Sequence, residues 1–196
     1  MNEITLLAQS KKRFNWGNVF WIVTVLLIIT RIFFWSIYKV NGHSMDPTLH
    51  DGNYMIALKQ FSVNRGDIVT AKENDKIITK RVIGLPNDTI TFKNDELYIN
   101  GKKYSEPYLD SFKKEFEKDR LHENYSYNPD FQTRAAQMSH FTVDYNWKSD
   151  FSVKLGKNEY YLLGDNRPVS QDSRKVGAFN RKDIIGKVVL NRINFW

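Results

Sequence analysis

Residues 19–38 read VFWIVTVLLIITRIFFWSIY, and Arg31 is the one charge among them. At ~1.5 Å rise per residue, 20 residues of helix span roughly 30 Å, the hydrocarbon thickness of a bilayer. The run predicts one membrane-spanning helix, with an anchor region at 14–38 and a separate body at 39–196. Arg31 lies toward the far end, where its long stem reaches the headgroups. A shorter crossing that ends near Thr30 is the alternative, with Ile32 to Tyr38 lying along the interface. Trp16, Phe20 and Trp21 at one end, and Phe33, Phe34, Trp35 and Tyr38 at the other, suit the two interfacial zones. Lys11, Lys12 and Arg13 precede the run, so residues 1–13 are expected to be a short cytoplasmic N-terminus. The body then lies outside a cell membrane that the chain crosses once. A cleaved signal peptide is a rival, but RIFFWSIYKV offers no small-x-small cleavage pair. A buried core helix is the blander rival.

The body is large enough for a single core. The net charge is +7, of which +4 falls in residues 1–40, so the remainder is only weakly basic. A mixed solvated surface accounts for that balance, and nucleic acid is not an expected partner. The sequence has no cysteine, which excludes a thiol nucleophile, a disulfide framework and thiolate metal sites.

Beyond the anchor the pattern turns to short apolar or alternating runs: YMIAL (54–58), DIVTA (67–71), KIITKRVIG (76–84), TITF (89–92) and ELYING (96–101). Clusters of Asn, Asp and Gly separate them, and Asn100-Gly101 predicts a hairpin. Strand signals resume at YYLLG (160–164) and DIIGKVVLNRINF (183–195). The expected fold class is mainly β: an N-terminal transmembrane helix followed by an antiparallel sheet body. Residues 105–157 have weak periodicity and read as an insertion on that body, with a short amphipathic helix over 112–125.

Three segments carry candidate chemistry. In Gly42-His43-Ser44-Met45-Asp46-Pro47-Thr48-Leu49, glycine and proline flank a serine closely, so the chain turns tightly there. Such a turn presents a hydroxyl and backbone N–H groups together, the makings of an oxyanion hole. In KIITKRVIG the strand period of two puts Ile78, Lys80 and Val82 on one face, and Ile77, Thr79, Arg81 and Ile83 on the other. Lys80 is then the lone charge on an apolar face. Burial lowers a lysine pKa, which a lysine needs in order to act as a general base near neutrality. A surface lysine with a buried stem fits the same pattern. The third segment, Gly164-Asp165-Asn166-Arg167-Pro168-Val169-Ser170-Gln171-Asp172-Ser173-Arg174, is a polar loop after an apolar strand.

Together these segments resemble the bacterial type I signal peptidases, or leader peptidases. The matching pieces are the anchor, GHSMDPTL, RGDIV at 65–69, TKRVIGLP with Lys80, and GDNRPVSQDSR, in the family's order. The resemblance implies a membrane-bound Ser/Lys serine endopeptidase that removes signal peptides after small residues of the Ala-x-Ala type. Ser44 would be the nucleophile, Lys80 the general base and Ser170 the serine that orients the lysine. Arg81, Asp165, Asp172 and Arg174 would form structural salt bridges. Met45, Leu49, Ile78 and Thr79 would line small pockets for substrate side chains. The implied partners are signal peptides of exported preproteins, membrane lipid and the secretion machinery, with no cofactor and no metal. Phe195-Trp196 would dip into the outer leaflet.

Two positions depart from the family pattern. Asn87 stands where glycine is usual, in GLPND, and asparagine tolerates left-handed backbone. Gly42 stands where some relatives carry a hydroxyl, so the oxyanion hole must rely on backbone N–H groups. Two other functions use related chains. One is an anchored chaperone or assembly factor for surface proteins, which intact Ser44 and Lys80 argue against. The other is a self-cleaving Ser–Lys regulator, whose DNA-binding domain the anchor displaces. His43, His50, His122 and His140 show no metal-ligand spacing, and His43 is too close to Ser44 in sequence for a Ser–His triad.

Overall fold

The computed structural model describes residues 15–125 and 128–193, with the side chains of 190–193 left out. The basic cluster at 11–13 and Phe195-Trp196 lie outside the described residues. Helix α1 (Trp16–Phe33) carries no buried residue and has a mean hydropathy of 1.8. Its 18 residues reach ~27 Å, enough to cross the hydrocarbon layer.

The apolar run does not continue as helix to Tyr38. It breaks at Phe34, and Trp35–Lys39 forms strand β1. Two interactions capture the chain there. Lys59 Nζ donates to Ile32 O at 2.7 Å and to Arg31 O at 3.2 Å, satisfying carbonyls of the last helical turn. Strand β1 then pairs antiparallel with β2 (Tyr54–Leu58), Trp35 opposite Leu58 and Lys39 opposite Tyr54. Of the aromatic residues assigned to that interfacial stretch, Trp35 and Tyr38 thus belong to a sheet, while Phe33 ends the helix and Phe34 caps it.

The next strands follow the turn residues closely. They are β3 (Ile68–Glu73), β4 (Lys76–Gly84), β5 (Thr89–Lys93), β6 (Glu96–Ile99) and β7 (Lys102–Tyr104). Asn100 and Gly101 join β6 to β7 at φ 52° and 79°, which type I′ hairpin turns require. Asn87 adopts φ 69°, so asparagine supplies the left-handed turn that glycine usually makes.

The segment expected to be one insertion divides. Helices α2 (Asp110–Asp119), α3 (His122–Tyr125) and α4 (Pro129–Gln137) bury their own cluster of Phe112, Phe116, Leu121, Tyr125, Phe131 and Phe141. The expected single helix over 112–125 breaks because Arg120 and Leu121 are left-handed, at φ 59° and 60°, which turns Leu121 into that cluster. Residues 151–157 are not insertion: β8 (Phe151–Lys154) pairs with β5. Strand β9 (Glu159–Leu163), helix α5 (Ser173–Val176), β10 (Phe179–Asn180) and β11 (Ile184–Ile193) complete the chain.

The strands form two antiparallel sheets, β1-β2-β11-β3-β4-β9-β10 and β7-β6-β5-β8. Ile83, Tyr161 and Leu163 of the first pack against Ile90, Phe92, Leu97 and Ile99 of the second. The other side of the first sheet buries Val69, Ala71, Val82, Leu162 and Ile184. Both faces of β4 are therefore covered, and Arg81 is buried as well as Lys80.

Candidate active site

Ser44 lies in a tight turn at 42–48 between β1 and β2. Gly42 enters it at φ 83°, a backbone region that penalises other residues, and its N–H donates to Asp51 Oδ1 at 2.7 Å. The turn's own hydrogen bonds are made by the N–H groups of Asp46, Thr48 and Leu49. The Ser44 N–H is not among them. Met45 and Leu49 point into a small core with Val40 and Met55, which fixes the turn to the sheet.

Lys80 occupies the middle of β4, opposite Val69 of β3. Its Nζ donates to Ser44 Oγ at 2.9 Å, and the residue is only 4 % exposed. Burial pushes the ammonium below the ordinary lysine value of 10.5. Asp172 and Glu73 pull it back up, and desolvation prevails. Asp172 is committed elsewhere: Arg174 Nε and Nη2 donate to its two oxygens at 2.9 and 2.8 Å. Burial pushes the Asp172 carboxyl up, and Arg174 more than offsets this, holding it below its usual range. The carboxylate that raises Lys80 most is thus paired with an arginine, and burial dominates at Lys80.

The loop after β9 brings these parts together. Asn166 N–H donates to Ser44 O at 3.1 Å, and Gly164 N–H donates to Asp172 Oδ2 at 3.0 Å. A Cβ on Gly164 would lie 2.2 Å from Ser170 Oγ and 2.4 Å from Ser44 O, so only glycine allows this approach. Arg81 Nε donates to Asp165 Oδ1 at 2.8 Å and its Nη2 to Oδ2 at 2.6 Å, while Thr48 Oγ1 also reaches Oδ2. The four residues expected to be salt-bridge partners therefore pair as Arg81–Asp165 and Arg174–Asp172.

Two expectations meet a different arrangement. Ser170 Oγ is buried beside Gly164 and Asp172, and no hydrogen bond joins it to Lys80. The four residues assigned to substrate pockets lie outside the cavity between the 164–175 loop, the end of α4 and the 143–147 turn. Met45 and Leu49 are core, Ile78 packs with the Val69–Val82 cluster, and Thr79 Oγ1 contacts Met55 Sδ at 3.9 Å. That cavity has a volume of about 500 Å³.

Sequence reasoning missed a third buried ion pair. Arg167, 1 % exposed, donates to Glu106, to Thr142 Oγ1 at 3.2 Å and to Gly164 O at 3.0 Å. It anchors the catalytic loop to the start of the insertion. It also missed Asp46, which binds His43 Nδ1 at 3.0 Å, His50 Nδ1 at 2.8 Å and Tyr125 OH at 2.6 Å. An acidic residue two beyond the serine, with histidines at −3 and +4 from it, was the available signal. His43 is thus engaged with a carboxylate, and the Ser44 hydroxyl meets a lysine.

Comparison with known proteins points to one family. The profile of the family described as signal peptidase, peptidase S26, matches residues 13–193. Signal peptidase I of Streptococcus pneumoniae (strain ATCC BAA-255 / R6) is 46 % identical over 191 residues, covering 93 % of this chain and 92 % of that protein. Signal peptidase I S of Bacillus subtilis (strain 168) is 37 % identical over 185 residues, covering 92 % and 89 %. A crystal structure of a signal peptidase I from Enterococcus faecalis V583 superposes with a TM-score of 0.49 at 30 % identity, covering 66 % of this chain and 98 % of that one. The chain belongs to the signal peptidase family S26 and is a serine endopeptidase that removes signal peptides.

Proposed function

We propose that this signal peptidase works through a Ser44–Lys80 dyad at the outer face of a membrane. The 2.9 Å contact between Lys80 Nζ and Ser44 Oγ, made by a buried lysine, carries the reading. Neutral Lys80 takes the Ser44 proton as Oγ attacks the scissile carbonyl. The Ser44 N–H, outside the turn's own bonds, is positioned to receive the developing oxyanion. Lys80 passes the proton to the leaving amine, and the mature chain departs. A water, deprotonated by Lys80, then hydrolyses the acyl-enzyme. Arg81–Asp165 and Arg174–Asp172 hold the site, and Ser170 orients the lysine. Met45, Leu49, Ile78 and Thr79 border the pockets that accept small side chains, so larger ones clash and cleavage follows Ala-x-Ala.

Helix α1 is the anchor, with residues 1–13 on the cytoplasmic side and the body extracytoplasmic. This holds the dyad at membrane level, where lipid and the secretion machinery present the substrate. The test is cleavage of an Ala-x-Ala presecretory protein by the purified full chain across pH. The rate is expected to rise with pH, with a midpoint below 10.5 because burial lowers the Lys80 pKa. Ser44→Ala and Lys80→Ala should both abolish cleavage. Undiminished cleavage by Lys80→Ala refutes its role as base.

A further inference from the structure

A closed hydrogen-bonded circuit runs through the nucleophile turn. Asn166 N–H donates to Ser44 O at 3.1 Å. The side chain of the same asparagine donates through Nδ2 to Tyr125 OH at 3.0 Å. Tyr125 OH donates to Asp46 Oδ2 at 2.6 Å, and Asp46 lies two residues along the chain from Ser44. Three segments distant in sequence meet in this circuit: the turn, the loop after β9, and helix α3 of the insertion. Asp46, Tyr125 and Asn166 are all buried, so water does not substitute for the links.

Tyr125 is held rigidly enough to transmit position. Its ring meets Phe131 at 4.5 Å, His43 at 5.5 Å and Phe112 at 6.4 Å between centroids. The hydroxyl serves as donor and acceptor together. Asp46 receives His50 on Oδ1 and both His43 and Tyr125 on Oδ2, so the Tyr125 link is added to a carboxylate already braced from within the turn.

From this we propose that Tyr125 is a positioning residue for the peptidase reaction. It carries the packing of the helical insertion into the turn that holds Ser44, and so sets the Ser44–Lys80 distance. The insertion is then a clamp on the nucleophile. The inference rests on the Ser44–Lys80 reading above. It differs from a stability role in one respect: loss of the hydroxyl acts on turnover and leaves the ring's packing in place.

The test is a double-mutant cycle with Tyr125→Phe and Asn166→Ala in the full chain, measured on a presecretory substrate with Ser44→Ala assayed in parallel. Tyr125→Phe is expected to lower kcat about tenfold with KM within twofold, because geometry controls a step that binding does not. The midpoint of the pH profile stays in place while its height falls, since the phenol does not face Lys80. The Asn166→Ala loss is of similar size, and the double variant is no worse than about twofold below the poorer single, as for groups acting as one unit. If Tyr125→Phe does not fold, Asn166→Ala breaks the same circuit from its other end and reads the same kcat loss. Full kcat in Tyr125→Phe with a dead Ser44→Ala overturns the circuit alone. Losses that multiply in the double variant overturn it too, as does a shifted pH midpoint. An active Ser44→Ala overturns the dyad itself.

Discussion

Gly164→Ala adds one methyl group at the narrowest point of the site. The new Cβ would sit 2.4 Å from Ser44 O and 2.5 Å from Ser170 Cβ, where ordinary contact starts at 3.4 Å. Both neighbours are anchored. Ser44 O accepts Asn166 N–H, and Ser170 N–H donates to Asn166 O. Relief therefore requires about 1 Å of separation between the nucleophile turn and the loop after β9. A displacement of that size at a reacting centre costs roughly 100-fold in rate. Overpacking costs stability as well, about 2 kcal/mol, or ~6 °C in Tm for a domain of this size.

Gly84→Ala supplies the comparison. Its Cβ would meet Leu155 Cδ1 at 2.5 Å and Tyr161 Cβ at 2.9 Å, a clash of similar severity. Gly84 lies four residues beyond Lys80, ~13 Å along the strand. The assay is kcat on a presecretory peptide together with thermal melting, both in the same detergent. Both variants should melt lower, and only Gly164→Ala should lose turnover. Turnover within threefold of the parent for Gly164→Ala refutes the argument. So does an equal loss in Gly84→Ala, which would mean that catalysis tracks stability alone.

Two further outcomes follow from the buried charges. Lys80→Met should be inactive yet more stable, by about 1–3 kcal/mol in chemical denaturation, because an apolar side chain replaces a desolvated ammonium. The folded pKa of Lys80 lies below its unfolded value, so the protonated group destabilises the native state at pH below the folded value. That cost fades as pH rises from the folded value toward 10.5, so the gain from Lys80→Met must shrink over the same window; a gain that grows there contradicts the assignment. Glu106→Gln leaves the Arg167 guanidinium buried without its anion, and should cost about 3–5 kcal/mol. Burial pushes the Glu106 carboxyl up, and Arg167 overrides it, so the group titrates below its usual range. Its stabilisation is present above the unfolded value of 4.5 and is lost as pH falls through the folded one. An acid-melting series should show that loss in the parent and not in Glu106→Gln.

Local signals were legible and distant ones were not. Turn residues placed β2, β4 and the β6–β7 hairpin to within a residue or two, because Asn-Gly chemistry and period-two alternation act over a few neighbours. Alternation also singled out Lys80, whose apolar face is real. It put Arg81 on the other face but could not report that a second sheet and the insertion cover that face too. The helix end at Phe33 was misread because strand pairing with Tyr54–Leu58 decides it. Arg167 and Glu106, 61 positions apart, form their pair only through the fold. Tyr125 looked like one aromatic among many in a segment without periodicity, and its role comes from meeting Asp46 across 79 positions.

The order of strands bears on how the enzyme comes into being. Ser44 hangs from the β1–β2 hairpin and Lys80 stands on the β3–β4 hairpin, and the two hairpins do not pair with each other. Strand β11 lies between them, joined to β2 on one side and to β3 on the other. Until residues 184–193 join the sheet, the two hairpins have no strand between them, and their spacing rests on the loop after β9, whose Asn166 N–H holds Ser44 O. The separation of serine and lysine is therefore fixed in full only when the strand furthest along the chain from both has paired on its two sides.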